Sequence, residues 1–419
     1  MDRLQGFDLI TGAWPQRALI ALLSVVCLSC GGGGAGVGAG ASTGAAVPWV
    51  GTWAVAPAVT SAQGFNNQTV RQIVHSSIGG SAVRVRVSNL YGSDPVVIGN
   101  VYVALRDSSP NSGPTTVSSS NRTVTFGGQQ GVTLAAGASI ASDPVPFDVP
   151  PLADVAVSLY LPGKTPSHPT GHDSSLQDVY VAPGNVGADS TFKGFTTNPS
   201  GQAYYFLTNV DVQNAQATGA MVAFGASITD GRASSSNANR RWTNDLAVRL
   251  SDAHIAVGVL NEGIGGNNFF TDDGGEAGVN RFDRDALDQP DVKWIIISDD
   301  AVNNLNTSAP ASAQDLMGAF QQLIARAHRV NVKVICSTLT PFRGTPFWTP
   351  AIEAAREQVN GFVLSPSSGC DAVLDQARAL SDPADRASFL PAFNSGDNLH
   401  PNDAGMQAIA GALDLKSLQ

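Results

Sequence analysis

Apolar and polar residues alternate through Val83-Arg84-Val85-Arg86-Val87, which puts three valines on one face and two arginines on the other. A period of two belongs to an antiparallel strand with one buried face. Runs rich in Val, Tyr, Phe and Thr recur at 70–78, 82–89, 96–105, 122–126, 155–161 and 204–212. Turn-rich stretches such as 107–120 separate them, and no long helical period intervenes. The pattern predicts a β-sandwich or jelly-roll-like domain over 48–216.

The period changes after Ala220. Residues 221–224 form an apolar run that stops at Gly225, and Trp242, Leu246 and Leu250 then recur four apart, as on one helix face. Strand-like runs follow at 255–260, 292–297 and 332–336, with a short fifth at 372–374. Helical stretches at 311–330 and 350–364 lie between or after them, and Asn402 can cap a last helix reaching Leu415. Continuous apolar strands alternating with helices predict an α/β domain over 217–419, a parallel sheet covered on both faces. Sites in such sheets gather at the C-terminal ends of strands. That rule selects the loops 225–231, 261–270, 298–305 and 395–401.

Composition narrows the class. The chain has 419 residues, a formal net charge of −10, 44 glycines and only 14% charged residues. That acidic balance gives no field to gather nucleic acid, and the glycines form neither a dinucleotide fingerprint nor a phosphate loop. Residues 1–30 read as a targeting signal, because the apolar run 18–29 is too short to span a bilayer but suits a signal-peptide core. Cys30, followed by glycines, fits the lipidated cysteine of a bacterial lipoprotein, and plain secretion is the other reading. Either way the expectation is export, with 31–47 as a flexible glycine-rich tether. Cys336 and Cys370 are compatible with a disulfide or with two separate buried thiols.

Candidate chemistry falls in the selected loops. Ser227, in Gly225-Ala226-Ser227-Ile228-Thr229, follows an apolar strand, and its hydroxyl needs a neighbouring base to act as a nucleophile. Asp397 and His400 lie three apart before Pro401, a spacing that can set a carboxylate against one imidazole nitrogen and leave the other for the serine proton. An Asx turn is the plainer reading of that segment. Gly265, Gly266 and Asn303 can supply donors to a developing oxyanion. The remaining histidines are His75, His168, His172, His254 and His328; of these, His168 and His172 sit in a loop that can line a substrate site if it reaches the second domain. Asp299-Asp300 lacks metal-ligand spacing and reads as the end of a strand or a support for the oxyanion loop.

Over 221–415 these blocks resemble the SGNH, or GDSL-type, hydrolase superfamily. Gly225-Ala226-Ser227 matches the nucleophile block, Gly266 the oxyanion glycine, Ala301-Val302-Asn303-Asn304 the third block and Asp397 with His400 the last. The resemblance implies a three-layer flavodoxin-like fold, a triad of Ser227, Asp397 and His400, and an oxyanion hole from Ser227, Gly266 and Asn303. Three positions depart from the family: Ala226 and Asn304 stand where aspartates are usual, and Ala301 where glycine is. Ala226 removes a carboxylate that helps hold such sites, which implies either lower activity or compensation by Asp230.

The activity implied is hydrolysis of short-chain carboxylic esters, including acetyl groups on carbohydrates, through an acyl-serine. The implied partner is a small ester or acetylated saccharide, and no metal or organic cofactor is implied. The alternative is a glycan-binding surface lipoprotein with an impaired hydrolase domain.

Overall fold

The computed structural model describes residues 47–61, 64–109 and 111–418. The signal segment, Cys30 and the tether up to residue 46 lie outside the described residues. Trp49–Ala54, Leu207–Gln213, Gly80–Ser88 and Val145–Val149 pair antiparallel in that order as one sheet. A second sheet is built on Gln68–His75, Asp154–Leu161 and Asn100–Leu105. The alternation seen in the sequence is kept: Val83, Val85 and Val87 are buried, whereas Arg84 reaches Asp211 on the neighbouring strand at 2.8 Å. These valines share one core with Val155, Val157, Leu159 and Leu161 of the second sheet, which makes the two sheets the layers of a sandwich.

Two of the expected strands are each broken in two. Gly99 separates Val96–Ile98 from Asn100–Leu105. Phe206, with φ of 58°, separates Ala203–Tyr205 from Leu207–Gln213. That left-handed residue redirects the chain, so that its two halves pair with different strands, Thr170–Asp173 and Gly80–Ser88.

The C-terminal half is a parallel sheet in the order Val257–Gly263, Gly219–Gly225, Val292–Ile297, Lys333–Ser337, Ala372–Leu374. In chain order this is 2-1-3-4-5, the flavodoxin-like arrangement. Alternate residues of the first of these strands in the chain face opposite ways. Val222 and Phe224 pack with Leu316, Phe320 and Val359 of helices Ala313–His328 and Pro350–Val363. Met221 and Ala223 pack with Trp242, Leu246, Met406 and Ile409 of helices Trp242–Asp252 and Asp403–Ala412. Three layers result. Ser312, Thr349 and Asn402 cap their helices by accepting from Asp315, Ile352 and Gly405 backbone N–H. The last helix ends at Ala412, three residues short of the expected Leu415.

The sandwich closes the outer edge of this sheet. Gly51 and Gly258 meet so closely that a Cβ on Gly258 would lie 2.0 Å from the Gly51 carbonyl oxygen. The Val259 N–H, on the edge strand, donates to Ser77 Oγ at 2.9 Å. Residues 47–419 accordingly form one compact unit.

Cys336, in the strand Lys333–Ser337, forms a disulfide with Cys370, two residues before the strand Ala372–Leu374, with Cα atoms 5.8 Å apart and a sequence separation of 34. Closing a loop of that length restricts the unfolded chain. Replacing both cysteines by alanine is expected to cost about 2–4 kcal/mol, read as a lower urea midpoint with an m-value that rises because the unlinked unfolded chain exposes more surface. An unchanged midpoint would show that the bond adds nothing to stability.

Candidate active site

The strand Gly219–Gly225 ends in a tight turn into the single-turn helix Ser227–Asp230, which stops at Gly231 in the left-handed region at φ 100°. So short a helix satisfies few of its own N–H groups. Asp299, buried at the end of the neighbouring strand, supplies the acceptors. Its Oδ1 accepts from Ala226 N at 3.0 Å, Thr229 N at 3.2 Å and Thr229 Oγ1 at 2.6 Å, and its Oδ2 from Ile228 N at 2.8 Å. A Cβ at Gly225 would lie 2.4 Å from both Asp299 Oδ1 and Thr229 Oγ1, so this close approach requires glycine. The Ser227 N–H has no hydrogen-bond partner among the described residues.

The loop 394–401 brings the base to the serine. Asn394 Oδ1 accepts from Gly396 and Asn398 N–H, and the turn passes through positive φ at Gly396 and Asn398. Asp397 Oδ1 accepts from Leu399 N at 2.9 Å and His400 N at 2.8 Å. Its Oδ2 lies 2.6 Å from His400 Nδ1, and His400 Nε2 lies 2.9 Å from Ser227 Oγ. One carboxylate thus closes an Asx turn with one oxygen and meets the imidazole with the other. Burial raises the Asp397 pKa, but the hydrogen bonds from His400 and Leu399 and the charge of His400 outweigh it and hold the carboxyl at about 2.

Gly266 lies in the loop after Val257–Gly263, at φ 79° with open space where a Cβ would point. Its N–H has no partner among the described residues. Asn303, in the helix Asp300–Leu305, donates from Nδ2 to the Asn267 carbonyl at 2.8 Å, which leaves its second amide hydrogen free. Asn304 accepts from Phe269 N at 3.0 Å and donates to Asn268 Oδ1 at 3.0 Å. An ionised aspartate cannot do both, so asparagine suits this loop.

Beneath these loops lies a group absent from the sequence reading. Arg281, fully buried, donates to the Gly225 carbonyl at 2.9 Å, the Glu262 carbonyl at 2.8 Å and Asn267 Oδ1 at 2.9 Å. Its guanidinium stands 4.0 Å from the Phe224 ring centre and 3.6 Å from Asp300. Burial pushes the Asp300 carboxyl up to about 7 against the pull of Arg281, with Asp299 adding to the rise.

The other candidates fall elsewhere. Asp230, the candidate to compensate for the carboxylate missing at Ala226, instead pairs with His172 at 3.0 Å, and Asp299 is the acid that holds the turn. His172 thus does come from the first half to the site, but as a buried support whose Nδ1 meets the Ala56 carbonyl at 2.8 Å. His168 meets the Thr60 carbonyl, His75 pairs with Asp154 and His328 with Asp371. His254 lines a cavity of about 410 Å³ with Gly79, Leu250 and Val257, at the opposite ends of the parallel strands. Among the described residues, no three His, Cys, Asp or Glu side chains gather where they could hold a metal ion.

Residues 223–408 match the model of the GDSL-like lipase/acylhydrolase family. No curated protein matches. Among solved structures, the chain is similar to the lipase/acylhydrolase from Enterococcus faecalis, with 18% identity, 46% of this chain and 92% of that one covered, and a TM-score of 0.37. It is also similar to TesA, with 17% identity, coverage of 48% and 98%, and a TM-score of 0.38. A third is the acetyl xylan esterase AlAXEase, with 17% identity, coverage of 46% and 96%, and a TM-score of 0.35.

Proposed function

Because residues 223–408 are a GDSL-like lipase/acylhydrolase domain, and the chain with it a carboxylic ester hydrolase, we propose that Ser227, His400 and Asp397 carry the reaction through an acyl-serine. The observation that supports this most directly is the continuous path from Asp397 Oδ2 through the two His400 nitrogens to Ser227 Oγ, in steps of 2.6 and 2.9 Å.

Asp397 holds the proton of His400 on Nδ1, so Nε2 accepts from Ser227. As Ser227 Oγ bonds to the ester carbonyl carbon, its proton passes to Nε2. The oxyanion is met by the free N–H groups of Ser227 and Gly266 and by the Asn303 amide. Collapse breaks the bond to the alkoxy oxygen, which leaves with the proton from Nε2. Water then repeats the sequence against the acyl-serine and restores the free enzyme.

On the substrate side the reading is a short acyl group on a polar alcohol, such as an acetylated saccharide. The loop carrying the base offers Ser395, the amide NH2 of Asn398 and the half-exposed Asp397, a rim suited to hydroxyl groups. Asp299 holds the nucleophile turn without an acid at position 226, which favours hydrolysis over the glycan-binding alternative with an impaired hydrolase domain. Export, as a lipoprotein through Cys30 or by plain secretion, remains part of the proposal and agrees with a disulfide in an oxidising compartment.

p-Nitrophenyl esters from acetate to octanoate, together with acetylated xylooligosaccharides, test both halves. The parent is expected to prefer acetate and Ser227→Ala to fall to background. Parent-like turnover by Ser227→Ala removes the triad reading, and a preference for octanoate removes the short-acyl one.

A further inference from the structure

We propose that Asp299 is a positioning residue that holds the nucleophile turn and the oxyanion helix in one fixed relation. This rests on the reading of Ser227 as nucleophile and deepens it. Asp299 occupies the N-cap position of the helix Asp300–Leu305, which carries Asn303. An aspartate there ordinarily accepts from the N–H groups of its own helix. This one makes no such bond. Both oxygens turn instead to the neighbouring turn and take four donors from Ala226, Ile228 and Thr229. Its carbonyl meanwhile accepts from Val302 N at 3.0 Å, so its backbone begins the helix that its side chain ties to Ser227.

The selection of donors matters. Asp299 takes the N–H groups on both sides of Ser227 and leaves that of Ser227 itself unused. A turn fixed in this way presents the serine N–H and Oγ together, and any slackening moves both relative to Asn303. Gly225 fits the same account, since a side chain there would displace the carboxylate. The buried neighbour Asp300 does not share the role, because neither of its oxygens accepts a hydrogen bond.

An asparagine at 299 keeps the volume but turns an NH2 group toward backbone donors. Asp299→Asn is expected to lower kcat for p-nitrophenyl acetate about 10²-fold, the scale set by a misplacement of roughly 1 Å. KM should stay within about threefold, because substrate contacts are untouched. Labelling of Ser227 by an organophosphonate should slow in parallel with kcat. Thr229→Val removes one donor of the four and leaves the backbone bonds; it is expected to lower kcat about fivefold with unchanged KM. It also serves where Asp299→Asn does not fold. A folded Asp299→Asn enzyme with parent kcat, or an unchanged kcat in Thr229→Val where the first variant fails to fold, overturns the proposal. Residual parent-like activity in Ser227→Ala overturns instead the nucleophile assignment on which it rests.

Discussion

Replacing His400 by alanine is expected to lower kcat for ester hydrolysis by roughly 10⁴–10⁶, about as much as replacing Ser227. The reason is the single path between them. Nε2 of His400 is 2.9 Å from Ser227 Oγ, and among the described residues no other histidine makes a hydrogen bond to the serine. Without it the hydroxyl keeps its proton, and the departing alcohol has no acid. The double variant should be no slower than either single one, because the residues act as one unit. Asp397→Asn should be less damaging, by roughly 10³–10⁴, through a specific route. The asparagine oxygen can still accept from Leu399 and His400 N–H, so the turn survives. Its amide then donates to Nδ1, which drives the ring proton to Nε2, the wrong nitrogen for receiving one from serine. Because the Asp397 carboxyl is held at about 2, its contribution to stability is present above the ordinary carboxyl range and fades only as pH falls toward 2. Loss of activity on mild acidification should therefore not come from Asp397. Steady-state kinetics on purified variants decide this, and a His400→Ala enzyme within tenfold of the parent would falsify the assignment.

The proposed triad could be picked out in the sequence because its residues sit at the ends of elements whose periods are plain. The run 221–224 announces the strand before Ser227, and the Asp-x-x-His spacing before Pro401 is a local feature that one turn can realise. The 2-1-3-4-5 sheet was legible as a class for the same reason, since the apolar strands are continuous and the helices amphipathic. What escaped was the support. Asp299 lies within a doublet read as a strand end or a support for the oxyanion loop, yet the turn it holds is 70 to 73 residues away and three of its four donors are backbone groups with no sequence signature. The same holds for His172 and Asp230, 58 residues apart and joined only when the sandwich docks. Arg281 was hidden for another reason. In Arg281-Phe282-Asp283-Arg284-Asp285 a charge on a short helical stretch reads as solvated, and only the fold turns the first arginine inward.

Arg281→Met is therefore expected to carry the largest stability loss of any substitution considered, roughly 3–5 kcal/mol, because it removes one partner from a buried charged network. Methionine can fill much of the space over Phe224 but offers no donor. The carbonyls of Gly225 and Glu262, at the C-terminal ends of two adjacent strands, lose bonds of 2.9 and 2.8 Å, and Asn267 loses one of 2.9 Å. Asp300 loses the nearest cation at 3.6 Å. That last loss gives the effect a pH signature. The Asp300 carboxyl rises from the ordinary 3.8 to about 7 on folding, chiefly through burial. A folded pKa above the unfolded one means that the contribution of this group is full below about 4 and is lost as pH rises through about 7. Arg281 limits that loss by favouring the ionised form, so its removal should push the Asp300 pKa higher still. At pH 5 Asp300 is protonated in parent and variant alike, and the penalty comes from the lost hydrogen bonds and from the lost buried pair with Asp285 at 3.4 Å. At pH 8 the parent holds an ionised Asp300 beside Arg281, whereas the variant must keep it neutral or bury a lone charge. Urea unfolding at the two pH values should accordingly show a larger penalty at pH 8, and Asp300→Asn in the variant should shrink the difference to the part owed to Glu262, a second buried carboxyl raised by burial and pulled down by Arg281. Equal penalties at both pH values, or a larger one at pH 5, would show that Arg281 acts through its hydrogen bonds to the strand ends and not as the counter-charge of Asp300.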